Sequence, residues 1–296
     1  QDLMRGEHTL GAESAEASKA FKSQSRLAAL QKTGDSHMAN DAVNSIYGPP
    51  VDAGNAQSQT GTSIFDPVLC ELAYRWFCPP DGLVLDPFAG GSVRGIVAAK
   101  LGRRYVGIEL RPEQIAANEQ QARKIAPDTA PRWLEGDALD VATLAPGEYD
   151  FVFTCPPYAD LEVYSDDPRD LSTMDYPAFI DAYRRIIAAS VGMLKADRFA
   201  AVCVGDVRDS KGLYRNFVSD TIAAFQDAGA ALYNEAILVT AVGSLPIRVG
   251  RQFEAGRKLG KTHQNVLVFV KGDPRKATAA CGPVAVDWPD DEEVTP

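Results

Sequence analysis

The apolar positions change rhythm near residue 60. Before it, alanine, serine, glutamine and glycine dominate, and only Phe21, Leu27, Leu30 and Ile46 add bulk. Residues 12–32 could form a helix and residues 48–62 read as a linker, so 1–61 is expected to be a polar arm, partly helical or mobile. From 62 onward, short apolar runs alternate with segments of helical period. LVLD (83–86), RYVGIEL (104–110), RWLEGD (132–137), EYDFVFTC (148–155) and RFAAVCVGD (198–206) read as strands. SVRGIVAAKLG (92–102), RPEQIAANEQQARKIA (111–126), YPAFIDAYRRIIAASVGMLK (176–195) and NFVSDTIAAFQDAG (216–229) read as helices. ALYNEAILVTAV (231–242) and NVLVFVKG (265–272) follow as two strands with no helix between them, so they should pair antiparallel at one edge.

This alternation predicts an α/β domain over 62–275. Its sheet is mostly parallel, seven-stranded, with an antiparallel edge strand and helices on both faces. Residues 276–296 read as an acidic C-terminal tail carrying Asp287, Asp290, Asp291, Glu292 and Glu293. Composition adds little beyond a globular class: 45% of residues are hydrophobic. No apolar run suits a membrane helix or a signal peptide, and a cytoplasmic protein is expected. Five scattered cysteines without a CxxC pair, and three scattered histidines, point to reduced thiols and no metal site.

Strand ends carry the chemistry. LVLDPFAGGSVRG places Asp86, Phe88, Gly90 and Gly91 between a strand and a helix, the crevice where open α/β sheets bind ligands. Glycines there admit close backbone approach, and the helix N-terminus favours a negative group. Glu109 ends the second strand, where a carboxylate would accept two ribose hydroxyls; Asp137 ends the third, within reach of an adenine amino group. Each acid by itself could equally be a strand-end solubiliser or a helix cap. A nicotinamide-binding fold shares such a loop, but the spacing here is not GxGxxG, and one histidine alone, His263, lies in the domain.

TCPPY (154–158) ends the fourth strand. Two prolines stiffen the turn and remove two backbone donors, and the Tyr158 ring can stack on an extruded base. A base amino group is a poor nucleophile because its lone pair is delocalised. Acceptors at Cys155 and the Pro156 carbonyl would localise that pair toward an incoming methyl group.

DPFAGGS, then GIEL, then GD, resembles the cofactor half of a Rossmann-like class I S-adenosylmethionine-dependent methyltransferase. DPFAG and CPPY resemble in particular the amino-specific DNA methyltransferases, in which Ser, Asp or Asn precedes Pro-Pro and an aromatic. The resemblance spans about residues 62–272. It implies S-adenosylmethionine as cofactor, held by Phe65, Asp66, Asp86, Phe88, Ala89, Gly90, Gly91, Ser92, Glu109, Leu110, Asp137 and Ala138. It also implies Cys155, Pro156, Pro157 and Tyr158 as the catalytic run, and DNA as the partner, methylated after base flipping. The leading threonine and CPPYADLEVY lean toward cytosine-N4 over adenine-N6. Two departures stand out: Gly91-Ser92 in place of a glycine-serine-glycine run, and a cysteine at position 155.

That cysteine keeps a second chemistry open, in which a Cys155 thiolate attacks C6 of cytosine and methylation falls on C5. RNA or protein amino methylation, and a non-catalytic DNA-binding module, are further rivals. The net charge of −10 argues against non-specific nucleic-acid binding by the whole surface. Yet 243–264 concentrates Arg248, Arg251, Arg257, Lys258 and Lys261 against the single acid Glu254, and reads as an adaptable loop for phosphates. Tyr164 is a second candidate to stack on the flipped base.

Overall fold

A computed structural model of the chain describes residues 65–158, 164–239 and 245–284. The arm 1–61 and the tail beyond 284 lie outside the described residues. Those described fall into two units, 65–239 with 263–284, and 245–262, and each is taken by itself.

In the larger unit, α1 (Pro67–Phe77) leads into β1 (Leu83–Asp86), α2 (Val93–Lys100), β2 (Arg104–Glu109), α3 (Pro112–Ile125) and β3 (Arg132–Glu135). A short turn, α4 (Val141–Leu144), precedes β4 (Tyr149–Thr154), α5 (Tyr176–Met193), β5 (Leu194–Val204), α6 (Phe217–Asp227) and β6 (Ala231–Val239). In the smaller unit lies α7 (Leu245–Gly256). β7 (His263–Lys271) and α8 (Pro274–Cys281) close the larger unit. The sheet order is β3-β2-β1-β4-β5-β7-β6. β1 to β5 run parallel, and β7 is antiparallel to both β5 and β6.

Alternating side chains feed two cores. Val152 of β4 faces the α5 and α6 side with Phe179, Tyr183, Ile187 and Phe225. Phe151 and Phe153 face the α1, α2 and α8 side with Cys70, Tyr74, Ile96 and Ala277. A period of two along a strand requires this division, and burial on both faces is why the strands read as unbroken apolar runs.

Two expectations shift and one gains detail: β6 and β7 pair antiparallel at one edge, as the pattern predicts, with β7 running against β1 to β5 and β6 outermost. VLVFV (266–270) is buried throughout and needs a neighbour on each side, whereas β6 carries Asn234 and Glu235 and is exposed along nearly its whole length. The tail does not begin at 276: α8 runs to Cys281, capped by Asp273, with Ala277 and Cys281 packed into the core. Finally, the 243–264 segment is not all loop. Helix α7 forms despite Gly250, with Pro246 in its first turn, where no donor is needed.

Candidate active site

The carboxyl ends of β1 and β4 and the Tyr105 side chain from the start of β2 converge on one carboxylate. Asp86, the last residue of β1, is fully buried. Its Oδ2 accepts from Arg94 Nε at 2.6 Å and from the Tyr105 hydroxyl at 2.7 Å. Its Oδ1 accepts from the Thr154 hydroxyl at 2.6 Å and from the Phe88 amide at 3.2 Å. One side chain therefore joins the glycine loop, α2, β2 and the final residue of β4. Arg94 completes the knot by donating to the carbonyls of Phe88 and Ala89 at 2.7 and 2.9 Å, with its guanidinium over the Phe65 ring. The sequence pattern makes Asp86 a cofactor contact. The structure gives it four protein donors and no exposed surface, and through them it anchors the glycine loop. Arg94, Tyr105 and Thr154 are functional residues that the pattern does not single out. The available signal is a single arginine inside an otherwise apolar helix, SVRGIVAAK, where a buried charge requires a partner.

The loop itself is shaped to approach something closely. Gly90 has φ +50°, and a Cβ added at Gly90 or Gly91 would point into open space. Its back is pinned: the Ala89 amide donates to the Ile108 carbonyl at 3.0 Å, and Asn118 of α3 donates to the Gly90 carbonyl at 2.7 Å. That close approach to β2 depends on Gly107, where a Cβ would come within 2.7 Å of Ala89 Cβ. Ser92 is buried and bonds Gln121, so its side chain serves the loop's support. Phe88 stacks on Tyr183 at 6.0 Å.

Glu109 ends β2 beside this loop. Its Oε1 accepts the Arg111 amide at 2.9 Å, the Arg111 guanidinium lies 3.5 Å away, and the Gly90 amide also donates to the carboxylate. Burial pushes the Glu109 carboxyl up from its ordinary range, against those donors. Leu110 follows, half-buried. Asp137 caps the short turn that contains Ala138, accepting the Leu139 amide at 2.8 Å. Asp66 caps α1 through the Val68 and Leu69 amides at 2.8 and 3.1 Å, and Phe65 packs edge-on against Phe153. Helix capping thus accounts for part of what Asp66 and Asp137 do, while Glu109 keeps a face toward the glycine loop.

At the end of β4, Pro156 is buried and Cys155, Pro157 and Tyr158 are half-buried. The register Thr154↔Val202 carries on to set Cys155 beside Cys203 of β5. The Cys203 thiol and the Tyr158 hydroxyl both lie against the Cys155 sulfur, and Arg94 lies near it. The Cys203 hydrogen bond foremost, with Arg94 and Tyr158 assisting, holds the Cys155 thiol below the usual cysteine range in spite of burial. The same contact and burial push Cys203 up. Cys70, by contrast, is raised by burial, as is Cys78. The Tyr158 ring stands edge-on to Phe217 at 6.4 Å, and its hydroxyl receives a hydrogen bond from Gln264 of β7 at 2.5 Å. Tyr164 lies close enough to raise the Tyr158 phenol, and its backbone is held by Ser172. Residues 159–163 are outside the described residues.

In the smaller unit, Arg251 and Arg257 are exposed, and Arg257 folds over the Phe253 ring at 5.0 Å. Lys258 and Lys261 are half-buried. The Arg248 side chain lies outside the described residues. Among the described residues no cluster suits a metal ion, and no helix is long and apolar enough to cross a membrane.

Residues 54–120 match the DNA methylase family of the N6 and N4 type. Over 87 residues, 27% of this chain and 26% of the relative, the sequence is 33% identical to the type II methyltransferase M.PvuII of Proteus hauseri. Over 49 residues, 17% of this chain and 14% of the relative, it is 45% identical to the type II methyltransferase M.HinfI of Haemophilus influenzae. The chain thus spans about a quarter or less of the curated relatives it matches. A methyltransferase structure from Pyrococcus furiosus superposes with a TM-score of 0.53 at 12% identity, covering 80% of this chain and 96% of that one. The fold is that of class I methyltransferases.

Proposed function

Since residues 54–120 match the amino-specific DNA methylase family, we propose that this chain methylates an exocyclic amino group of a DNA base, with S-adenosylmethionine as donor. The observation that carries the reading is the 2.6 Å hydrogen bond from Thr154 to Asp86. It locks the TCPPY run to the glycine loop, so the group that would hold the base and the loop that would hold the cofactor share one rigid support.

The residues present fit that cofactor. Open space before Gly90 and Gly91 admits a ligand against the backbone, and Glu109 presents a carboxylate to ribose hydroxyls beside it. Asp137 and Ala138, and Phe65 with Asp66, frame the same strand ends from either side. Bound there, the cofactor supplies an electrophilic sulfonium methyl. The rest is the chain's work. Tyr158, with Tyr164 near it, would stack the extruded base. The Cys155 sulfur and the Pro156 carbonyl would accept the two amino hydrogens and leave the nitrogen lone pair facing the methyl group. A sulfur held low by its neighbours is a far better acceptor than an ordinary thiol, so Cys155 suits the place that Ser, Asp or Asn takes in the family.

Cytosine-N4 is favoured over adenine-N6 by the threonine-led run and the CPPYADLEVY context. The lowered Cys155 thiol favours one second reading, attack on C6 with methylation at C5. Digestion of methylated DNA to nucleosides, read by mass spectrometry, distinguishes the three products. N4-methylcytosine is expected; 5-methylcytosine would overturn the amino-group reading.

Two further outcomes are expected. Glu109→Ala should weaken S-adenosylmethionine binding by ~1–3 kcal/mol in calorimetry, the cost of removing a charge-assisted pair. Unchanged affinity would move the ribose elsewhere. Reversing Arg248, Arg251 and Lys258 to Glu should weaken DNA binding and flatten its dependence on salt, since each phosphate no longer neutralised keeps about one of its counterions. Cofactor affinity should hold, and an unchanged salt slope would take these residues off the DNA path.

A further inference from the structure

Gln264 has no part in the residues already assigned, yet its carboxamide meets both groups that face Cys155. It comes from β7, the strand that lies between β5 and the edge, and is half-buried there. Nε2 donates to the Tyr158 hydroxyl oxygen at 2.5 Å. Oε1 lies 3.5 Å from the Cys203 sulfur, a second acceptor within reach of that thiol. A Cβ at Gly205 would sit 3.6 Å from the Tyr158 ring and 3.8 Å from Gln264 Cγ, so the phenol and the carboxamide pack together over a glycine.

We propose that Gln264 is a positioning residue for methyl transfer, fixing the Tyr158 phenol so that its proton points at Cys155 and its ring stays square to the incoming base. The inference rests on the function proposed above and deepens it. The physical argument is one of hydrogen-bond direction. A phenol has one proton. When its oxygen already accepts a strong bond from an amide N–H, that proton must be spent elsewhere. The acceptor that the phenol also reaches is the Cys155 sulfur. Without Gln264, the phenol can turn its proton to water and the ring can rotate about a contact that is only edge-on to Phe217. Cys155 would then be left with Cys203 as its donor, and the base would have no fixed stacking surface. The cofactor loop is braced separately, by Asp86 at the end of β1 and Asn118 of α3, and neither touches Gln264.

The test is a double-mutant cycle between Gln264→Leu and Tyr158→Phe, read by steady-state methyl transfer to DNA and by cofactor titration. Gln264→Leu should lower kcat about tenfold, with KM for DNA and Kd for S-adenosylmethionine within about twofold of the parent. Tyr158→Phe, which keeps the ring but removes the hydroxyl, should do the same. The double variant should fall no more than about twofold below Tyr158→Phe alone, because Gln264 acts through that hydroxyl. A kcat for Gln264→Leu within about twofold of the parent, or losses that multiply in the double variant, overturns the proposal. If Gln264→Leu melts at a much lower temperature, Gln264→Glu keeps the size but accepts where glutamine donates, and it should show the same loss in kcat with the parental melting temperature. Failure of the parent to methylate DNA at all would instead sink the proposed function, so the two failures are distinguishable.

Discussion

Asp86→Ala is expected to destabilise the larger unit by ~3–5 kcal/mol, the range for removing one partner of a buried ion pair. The size of the effect follows from what is left behind. Arg94 is 4% exposed and would keep its charge in the protein interior with only two carbonyls to donate to. The Tyr105 hydroxyl, the Thr154 hydroxyl and the Phe88 amide would each be without that acceptor, and Tyr105 and Thr154 are buried. Urea unfolding followed by circular dichroism measures the effect; a change of less than about 1 kcal/mol would refute the account. A companion variant separates the costs. Asp86→Leu with Arg94→Met replaces the pair by apolar side chains of similar size, and such replacements run from neutral to stabilising. That double variant should fold, yet bind S-adenosylmethionine poorly, because the carbonyls of Phe88 and Ala89 would no longer be held by a guanidinium. Normal cofactor affinity in it would mean that the glycine loop keeps its shape without the knot.

Local patterns show this fold well and long-range neighbours poorly. β1 to β5, α2, α3 and α5 are legible because each carries its own period or its own stop, such as Gly102 after α2. What depends on distant packing is not. Which of β6 and β7 takes the edge is decided by β5, far back in the chain, and by how apolar VLVFV is on both faces. α8 is hidden because PRKATAAC is too short and too polar to stand apart from an acidic tail. The site divides the same way. TCPPY and the glycine loop announce themselves in consecutive residues. The ties of Asp86 to Tyr105 and Thr154 span 19 and 68 positions, and Gln264 reaches back 106 to Tyr158. Asp86 reads as a ligand contact because a strand-end acid looks the same in sequence whether it faces a crevice or an arginine.

The last expected result separates the chemistries open to Cys155. If its sulfur accepts an amino hydrogen, Cys155→Ser should keep methyl transfer within about tenfold of the parent, because a hydroxyl of nearly the same size also accepts, and Tyr158 and Cys203 remain to orient it. Cys155→Ala removes the acceptor and should cost ~10²–10³ in kcat, the scale for deleting one preorganised polar contact to the reacting group. If the sulfur is instead a nucleophile, both variants should fall to background, since a serine hydroxyl is a far weaker nucleophile than a thiolate and alanine has none. The environment makes the experiment necessary. Cys203, Tyr158 and the nearby Arg94 charge lower the Cys155 thiol from its ordinary range, a shift useful to either mechanism. Geometry tips the balance. Pro156 follows directly, so the sulfur and the Pro156 carbonyl sit on consecutive residues of one stiff turn, an arrangement suited to gripping the two hydrogens of an amino group. A nucleophile needs no such second acceptor. A 5-fluorocytosine oligonucleotide gives the independent reading: no stable covalent adduct with the parent protein is expected. An adduct that disappears in Cys155→Ser would establish C5 chemistry and end the amino-transfer account.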